Sequence, residues 1–282
     1  MKLRPPTGRR LTNLAVSLWA GASALLGILV LFWILYVVLA RGLGALNLAF
    51  FTQLPTPPGI GGGGLANAIA GTLALTALAT LIAVPMGLMA GVYLAEFSED
   101  SKAGDFSRFS ANVLMGMPSI IVGIFAYTLV VVPLGHFSGY AGALALAILM
   151  LPVITRTTED MLRLVPNTLR ESALALGAPR WKVTLGIVFR AAKSGLITGI
   201  LLAVARVSGE TAPLLFTALN SPYWFSSLGE PTPNLTVTIF NYAMSPYPDW
   251  QQKAWGASLL ITAGVLIMTI LARFFLREKK FG

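Results

Sequence analysis

The 282-residue chain contains no cysteine and one histidine, His136. No disulfide, thiolate metal site or cysteine nucleophile can form within it. A single histidine builds neither a catalytic triad nor a two-histidine metal site, and His136 reads as a solvated residue of an outer loop. Charge is also scarce, with Asp, Glu, Lys and Arg making up 11% of the chain. No Walker motif occurs, so ATP hydrolysis by that route is excluded. Gly59 to Gly64 satisfies the spacing G-x-G-x-x-G, but nothing before it reads as a strand and no Lys-Ser/Thr follows. It reads as a flexible or polyproline connector.

What the chain has instead is hydrocarbon. It is 56% apolar, with a mean hydropathy of +0.76. Uncharged stretches run over 14–40, 65–95, 109–135, 137–155 and 254–272, and the nearly uncharged run 194–220 makes a sixth. Each is at or near the ~20 residues needed to span a bilayer. The fold class is therefore all-α integral membrane, with six transmembrane helices. The first stretch begins basic and ends Val38-Leu39-Ala40, like a signal peptide, but its apolar run is too long for one and it reads as retained.

A net charge of +9 would suggest a nucleic-acid partner in a soluble protein. Its distribution argues against one. With both termini cytoplasmic, the inner segments 1–13, 96–108, 156–193 and 273–282 hold all but three of the 20 Lys and Arg residues. The exceptions are Arg41, Lys253 and Arg206. This satisfies the positive-inside rule and orients the chain.

Arg206 and Glu210 stand out within the apolar run. On a continuous helix at ~1.5 Å per residue, they lie roughly 18 and 24 Å from Ser194, inside a hydrocarbon core ~30 Å thick. Each charge costs ~2.5–3.5 kcal/mol there unless it is paired or faces a wet cavity. Pro85 and Pro118 are expected to kink the second and third spans. Small residues beside them, such as Gly87 and Gly91, permit close helix packing, and a pore role for Met117 to Ser119 stays open.

In the inner loop 156–193, Thr168 and Glu171 have capping-box spacing. Leu169, Ala173 and Leu176 form a narrow apolar stripe. Gly177 suits a helix C-terminus, and Pro179 the first turn of the next helix. The residues alone leave two roles for this small amphipathic helix: docking into a partner, or lying on the membrane with Arg180, Trp181 and Lys182. In the outer segment 221–253, Trp224, Tyr242, Tyr247, Trp250 and Trp255 fit either an interfacial belt or a contact surface. Asn234-Leu235-Thr236 matches a glycosylation sequon.

Two motifs carry a resemblance. Glu171-Ser172-Ala173, Gly177 and Ile187 resemble the EAA loop of ABC importer permeases, although Ser172 and Phe189-Arg190 depart from its pattern. The run Ala205-Arg206-Val207-Ser208-Gly209-Glu210-Thr211-Ala212-Pro213 is similar to the fifth-helix segment of the phosphate-import permeases. The outer Pro/Gly-rich loop (41–64), Leu235-Thr236-Val237 and Asn241-Tyr242-Ala243 are similar to that branch too.

The resemblance implies a MetI-like fold, with a first helix (14–40) preceding a type-1 transmembrane domain over 65–272. It implies a bacterial inner-membrane subunit forming half of a phosphate pathway. Its partners would be a second related permease, two copies of a cytoplasmic ATPase and a periplasmic phosphate-binding protein. The chain itself would bind no cofactor, ATP-Mg being held by the ATPase. Glu171, Ala173 and Gly177 would mark the ATPase-coupling helix. Arg206, Glu210 and Thr211 would lie on the substrate path, where guanidinium suits phosphate oxygens. For Arg206 and Glu210, mutual neutralisation stays open beside a transit or gating role, and Arg before Glu is the weaker order for an i,i+4 pair. Alternatives are a permease for another oxyanion such as sulfate or molybdate, a secondary transporter, and a membrane-embedded enzyme. The last lacks any His/Asp/Glu constellation.

Overall fold

The structure is a computed structural model that describes residues 7–98 and 101–275. Lys2, Arg4, Glu99, Asp100 and residues 276–282 of the expected inner segments lie outside it. All regular structure among the described residues is helical. We number the helices α1 (Thr7–Gly42), α2 (Leu48–Thr52), α3 (Ala66–Glu96), α4 (Lys102–Gly116), α5 (Ser119–Leu134), α6 (Gly139–Arg163), α7 (Asn167–Ala175), α8 (Arg180–Val207), α9 (Ala212–Leu215), α10 (Leu235–Ala243) and α11 (Pro248–Phe275).

Five of these are long and apolar enough to cross a membrane unaided: α1, α3, α6, α8 and α11. The expected third span is instead two rods, α4 and α5, bent by 104° at Met117-Pro118. Proline lacks the N–H that would continue the ladder, and it pushes the preceding residue into an extended conformation. Met117 accordingly has ψ 136°. By contrast, α3 passes through Pro85 and α6 through Pro152 without interruption.

The core has three levels. An inner cluster joins Leu162, Val183, Val188 and Leu196. A middle one joins Leu75, Ala83, Leu146, Ile154, Ala203, Leu214 and Val237. An outer one joins Phe50, Leu65, Leu235, Tyr242 and Ala257. The most extensive seam among the described residues runs between α3 and α6, where glycine lets backbones approach. A Cβ at Gly91 would lie 2.7 Å from Thr155 O, and one at Gly87 would lie 2.7 Å from a methyl of Ile154.

Unlike the others, α1 exposes its whole apolar span, and its C-terminal turn meets α11. There Gly42 abuts Leu259, and Arg41 lies 5.2 Å over the Trp255 ring, a cation–π contact for one of the three bases outside the expected inner segments. The Pro/Gly-rich connector is also held, contrary to the flexible reading. Gly64 N–H donates to Leu54 O, and the buried Lys253 ammonium donates to Thr56 Oγ1 and Gly62 O.

Overpacking the α3–α6 seam should cost about 1–3 kcal/mol. Gly91→Val is therefore expected to lower the thermal midpoint of the purified protein. Gly27→Val on α1, with nothing within 4 Å of its Cβ, should not. Equal midpoints for the two variants would contradict this packing.

Candidate functional site

The expected single helix through Arg206 and Glu210 does not exist. α8 ends at Val207, where Ser208 Oγ donates to Ala205 O, and the N–H groups of Gly209 and Glu210 turn back to Arg206 O and Val207 O. Gly209 leaves a helix at little steric cost, and Pro213, lacking an N–H, starts the next one inside its first turn. Arg206 is therefore in the last turn of α8, while Glu210 and Thr211 lie beyond it.

Among the described residues no ion pair joins Arg206 to Glu210. Arg206 is exposed and Glu210 half-buried. Each charge sits instead by the helix end whose dipole favours it. A cation at a helix C-terminus gains ~0.3–1 kcal/mol, and a carboxylate suits a helix N-terminus. Thr211 immediately precedes α9. Its side chain makes no capping bond, while its carbonyl accepts from Leu214 and Leu215 N–H.

The two broken spans touch. Gly123 of α5 faces Pro213 of α9 so closely that a Cβ would fall 2.6 Å from Pro213 Cα. The next residues, 216–234, are irregular and lead back into α10, whose first turn is buried. Backbone of this kind is tolerated at membrane depth only where protein or water satisfies it.

Asn234 does much of this. Its side chain is 0% exposed. Nδ2 donates to Leu219 O at 3.0 Å and Thr232 O at 3.2 Å, and Oδ1 accepts from Val237 N–H at 3.0 Å. Thr236 Oγ1 lies 3.1 Å from the same Oδ1 and 3.0 Å from Glu210 O. Thr72 Oγ1 of α3 accepts from Leu235 N–H at 2.8 Å. Such burial excludes Asn234 as a glycosylation acceptor. Leu219, to whose carbonyl Asn234 bonds, holds a left-handed φ of 56°, a conformation costing an L-residue roughly 1–2 kcal/mol.

Beyond the break, a cavity of about 620 Å³ opens between the connector and this segment. Asn67, Asn220, Tyr223, Thr238, Tyr242 and Trp250 line it, and no lining residue is charged. Trp250 belongs to this wall rather than to a free belt. It stacks on Tyr242 at 4.3 Å between ring centroids and donates Nε1–H to Thr56 O.

At the opposite end of α8 lies the elbow 164–180. Gly177 has φ 81°, its N–H bonds to Leu174 O, and Ala178 N–H bonds to Ala173 O. This is the double closure of a Schellman C-terminus. Ala173 is buried in the inner cluster, whereas Glu171 and Leu169 are exposed and Leu176 is 89% exposed. The stripe thus divides, one residue inward and two outward. The expected capping box is absent. α7 starts at Asn167 after Pro166, which places Thr168 inside the helix, where its carbonyl accepts from Ser172 Oγ.

Two ion-pair groups organise this end, one tying the elbow to its neighbours and the other joining α4 to α6. Arg170 donates to Glu96 Oε1 at 2.7 Å, to Leu162 O at 2.7 Å and to Val165 O at 2.8 Å, tying α7 to the ends of α3 and α6. Glu159, 1% exposed, sits among Arg108 (2.7 Å), Arg156 (2.6 Å) and Arg163 (3.0 Å). Three guanidiniums compensate the burial of one carboxylate.

Removing the Asn234 side chain strips partners from several buried groups at about 1–3 kcal/mol each. Asn234→Ala should therefore make 208–232 the first segment cut in limited proteolysis of the purified protein. An unchanged cleavage pattern would contradict its role as the anchor of the break.

The profile of the family described as binding-protein-dependent transport system inner membrane component matches residues 83–280. The phosphate transport system permease protein PstA of Yersinia pestis is 49% identical over 272 residues, covering 96% of this chain and 92% of that one. A chain of the MetNI methionine ABC transporter in an inward-facing conformation superposes with a TM-score of 0.61 at 18% identity, covering 76% of this chain and 94% of that one. A chain of a bacterial ABC transporter that imports the acidic polysaccharide alginate gives 0.63 at 14% identity, covering 96% and 99%. Those two likenesses carry the fold, which is that of an ABC importer permease, MetI-like and all-helical. With its broken spans, inner elbow and multi-pass bundle, the chain belongs to the family of binding-protein-dependent transport system inner membrane components.

Proposed function

We propose that the chain is the membrane-spanning permease subunit of an ATP-driven importer of inorganic phosphate, forming half of the pathway beside a second related permease. The observation that carries this reading is Arg206, exposed and without an ion pair among the described residues, at the end of a helix that stops within a long apolar run. A discontinuous helix exposes backbone groups and helix ends to a substrate, which is how many transporters build a midplane site. An anion crossing a low-dielectric core needs a cation on its way, and a guanidinium binds phosphate oxygens bidentately. A single cation also releases what it binds, as conduction requires. Glu210, half-buried beyond the break, limits how strongly the site holds an anion, and Thr211 offers a hydroxyl. The Yersinia pestis relative named for phosphate transport, 49% identical over nearly the whole chain, supports the choice of cargo.

In the same reading, two copies of a cytoplasmic ATPase bind ATP-Mg and engage the elbows, while a periplasmic phosphate-binding protein delivers the ion at the outer cavity. Both termini are cytoplasmic, as the distribution of Lys and Arg favours. Exposed Leu169, Leu176 and Glu171 offer the ATPase its contact, and Gly177 sets the angle. Arg170 passes the push to α3 and α6, since a bridge of this kind transmits displacement rather than absorbing it.

Two substitutions in the assembled complex separate the ends of this mechanism. Arg206→Gln should abolish phosphate uptake while the complex still assembles. Gly177→Asp, which forces a side chain into the left-handed region, should lose the ATPase on co-purification or hydrolyse ATP without transport. Labelled phosphate uptake, competed by unlabelled phosphate but not by sulfate, gives the readout. Normal uptake by an assembled Arg206→Gln complex would remove the transit role, and competition by sulfate would redirect the cargo to another oxyanion.

A further inference from the structure

A second cavity, of about 420 Å³ and open on one side to solvent, lies between the ends of α3 and α6, α7 and the start of α8. Glu96, Arg163, Asn167, Arg170, Arg180 and Thr184 are among its lining residues. Three guanidiniums therefore face one carboxylate, and that carboxylate is taken: Glu96 accepts from Arg170, which is further engaged by Leu162 O, Val165 O and Asn167 Oδ1. Arg163 reaches Glu159 only as one of three arginines sharing it. No described residue pairs with the Arg180 side chain, and the Asn167 amide nitrogen donates to none. The cavity thus has surplus positive charge, a neutral donor and concave walls, but no internal anion to match.

We propose that this cavity is a binding site for a tetrahedral phosphate group, either free phosphate or the headgroup of an anionic phospholipid. Arg180 and Arg163 would supply charge-assisted hydrogen bonds, and Asn167 a neutral one. An anion there would bridge α8 to the end of α6 and brace the elbow. The site is distinct from the transit residues, being at the opposite end of α8. It rests on the transport reading only in lying on the cytoplasmic face, where free phosphate and the inner-leaflet lipids are both available.

Amide hydrogen exchange over 164–184 tests this in the assembled complex. The complex would be held in nanodiscs of zwitterionic phosphatidylcholine, with and without phosphatidylglycerol, and titrated with inorganic phosphate. Binding should slow exchange several-fold, and Arg180→Gln should raise the half-saturating concentration roughly tenfold, the loss of one charge-assisted bond. Arg190→Gln, an exposed arginine outside the cavity, should leave it unchanged. Slowing by phosphate in zwitterionic discs supports the site with the free ion as ligand, and slowing only with phosphatidylglycerol supports it with the headgroup. No slowing in either lipid would overturn the proposal, as would slowing that Arg180→Gln leaves intact or that Arg190→Gln removes equally. Exchange reads binding whether or not phosphate is the cargo, so failure here leaves the transport reading standing, and failed transport leaves this one testable.

Discussion

The break between α8 and α9 depends on satisfying a backbone that stops being helical within a long apolar run. Each unsatisfied amide or carbonyl in hydrocarbon costs several kcal/mol, so a span can break only where other groups take over its hydrogen bonds. Asn234 is that replacement. It bonds to carbonyls on the returning segment with one end and caps α10 with the other. Thr236 and Thr72 extend the repair to Glu210 and to α3. With the backbone held in this way, Arg206 and Glu210 need not neutralise each other. Each takes the helix end that favours it, and the arginine stays free.

The inner end is organised on the opposite principle. There the charges are dense, paired and directional. Arg170 and Glu159 knit α3, α4, α6 and α7 into one unit, and buried pairs of this kind are costly to break singly, about 3–5 kcal/mol. This end meets the start of α8, the helix whose other end is the break. The first turns of α8 include a π-helical stretch at Thr184–Val188, a feature that often marks functional sites.

Much of this was legible in the sequence, and the exceptions share a cause. Hydropathy located the spans because apolar composition is a local property. The elbow was legible because Gly177 is the residue that tolerates a positive φ. The break after Val207 was not legible, since 194–220 as a whole is long and nearly uncharged and hydropathy does not register hydrogen bonding. Ser208-Gly209 followed by Pro213 was the available signal, a helix stop and restart. Its stabiliser, Asn234, lies two dozen residues downstream, where the local sequence offered only a sequon. Glu96 and Arg170 are separated by 74 positions, and no periodicity links residues so distant. Two acidic residues of 96–108 are likewise arginine partners, Glu96 of Arg170 and Asp105 of Arg108.

The central claim is that the break places position 206 in water rather than in lipid or in a packed seam. A chain without cysteine lets this be measured without prior engineering, because an impermeant thiol reagent attacks only the ionised, water-exposed thiol. Arg206→Cys and Ala203→Cys, each introduced singly into the assembled complex, give the comparison, Ala203 being buried in the middle cluster. The account predicts fast modification of the Arg206→Cys protein and none of the Ala203→Cys protein. An Arg206→Cys complex as inert as its buried neighbour would contradict it.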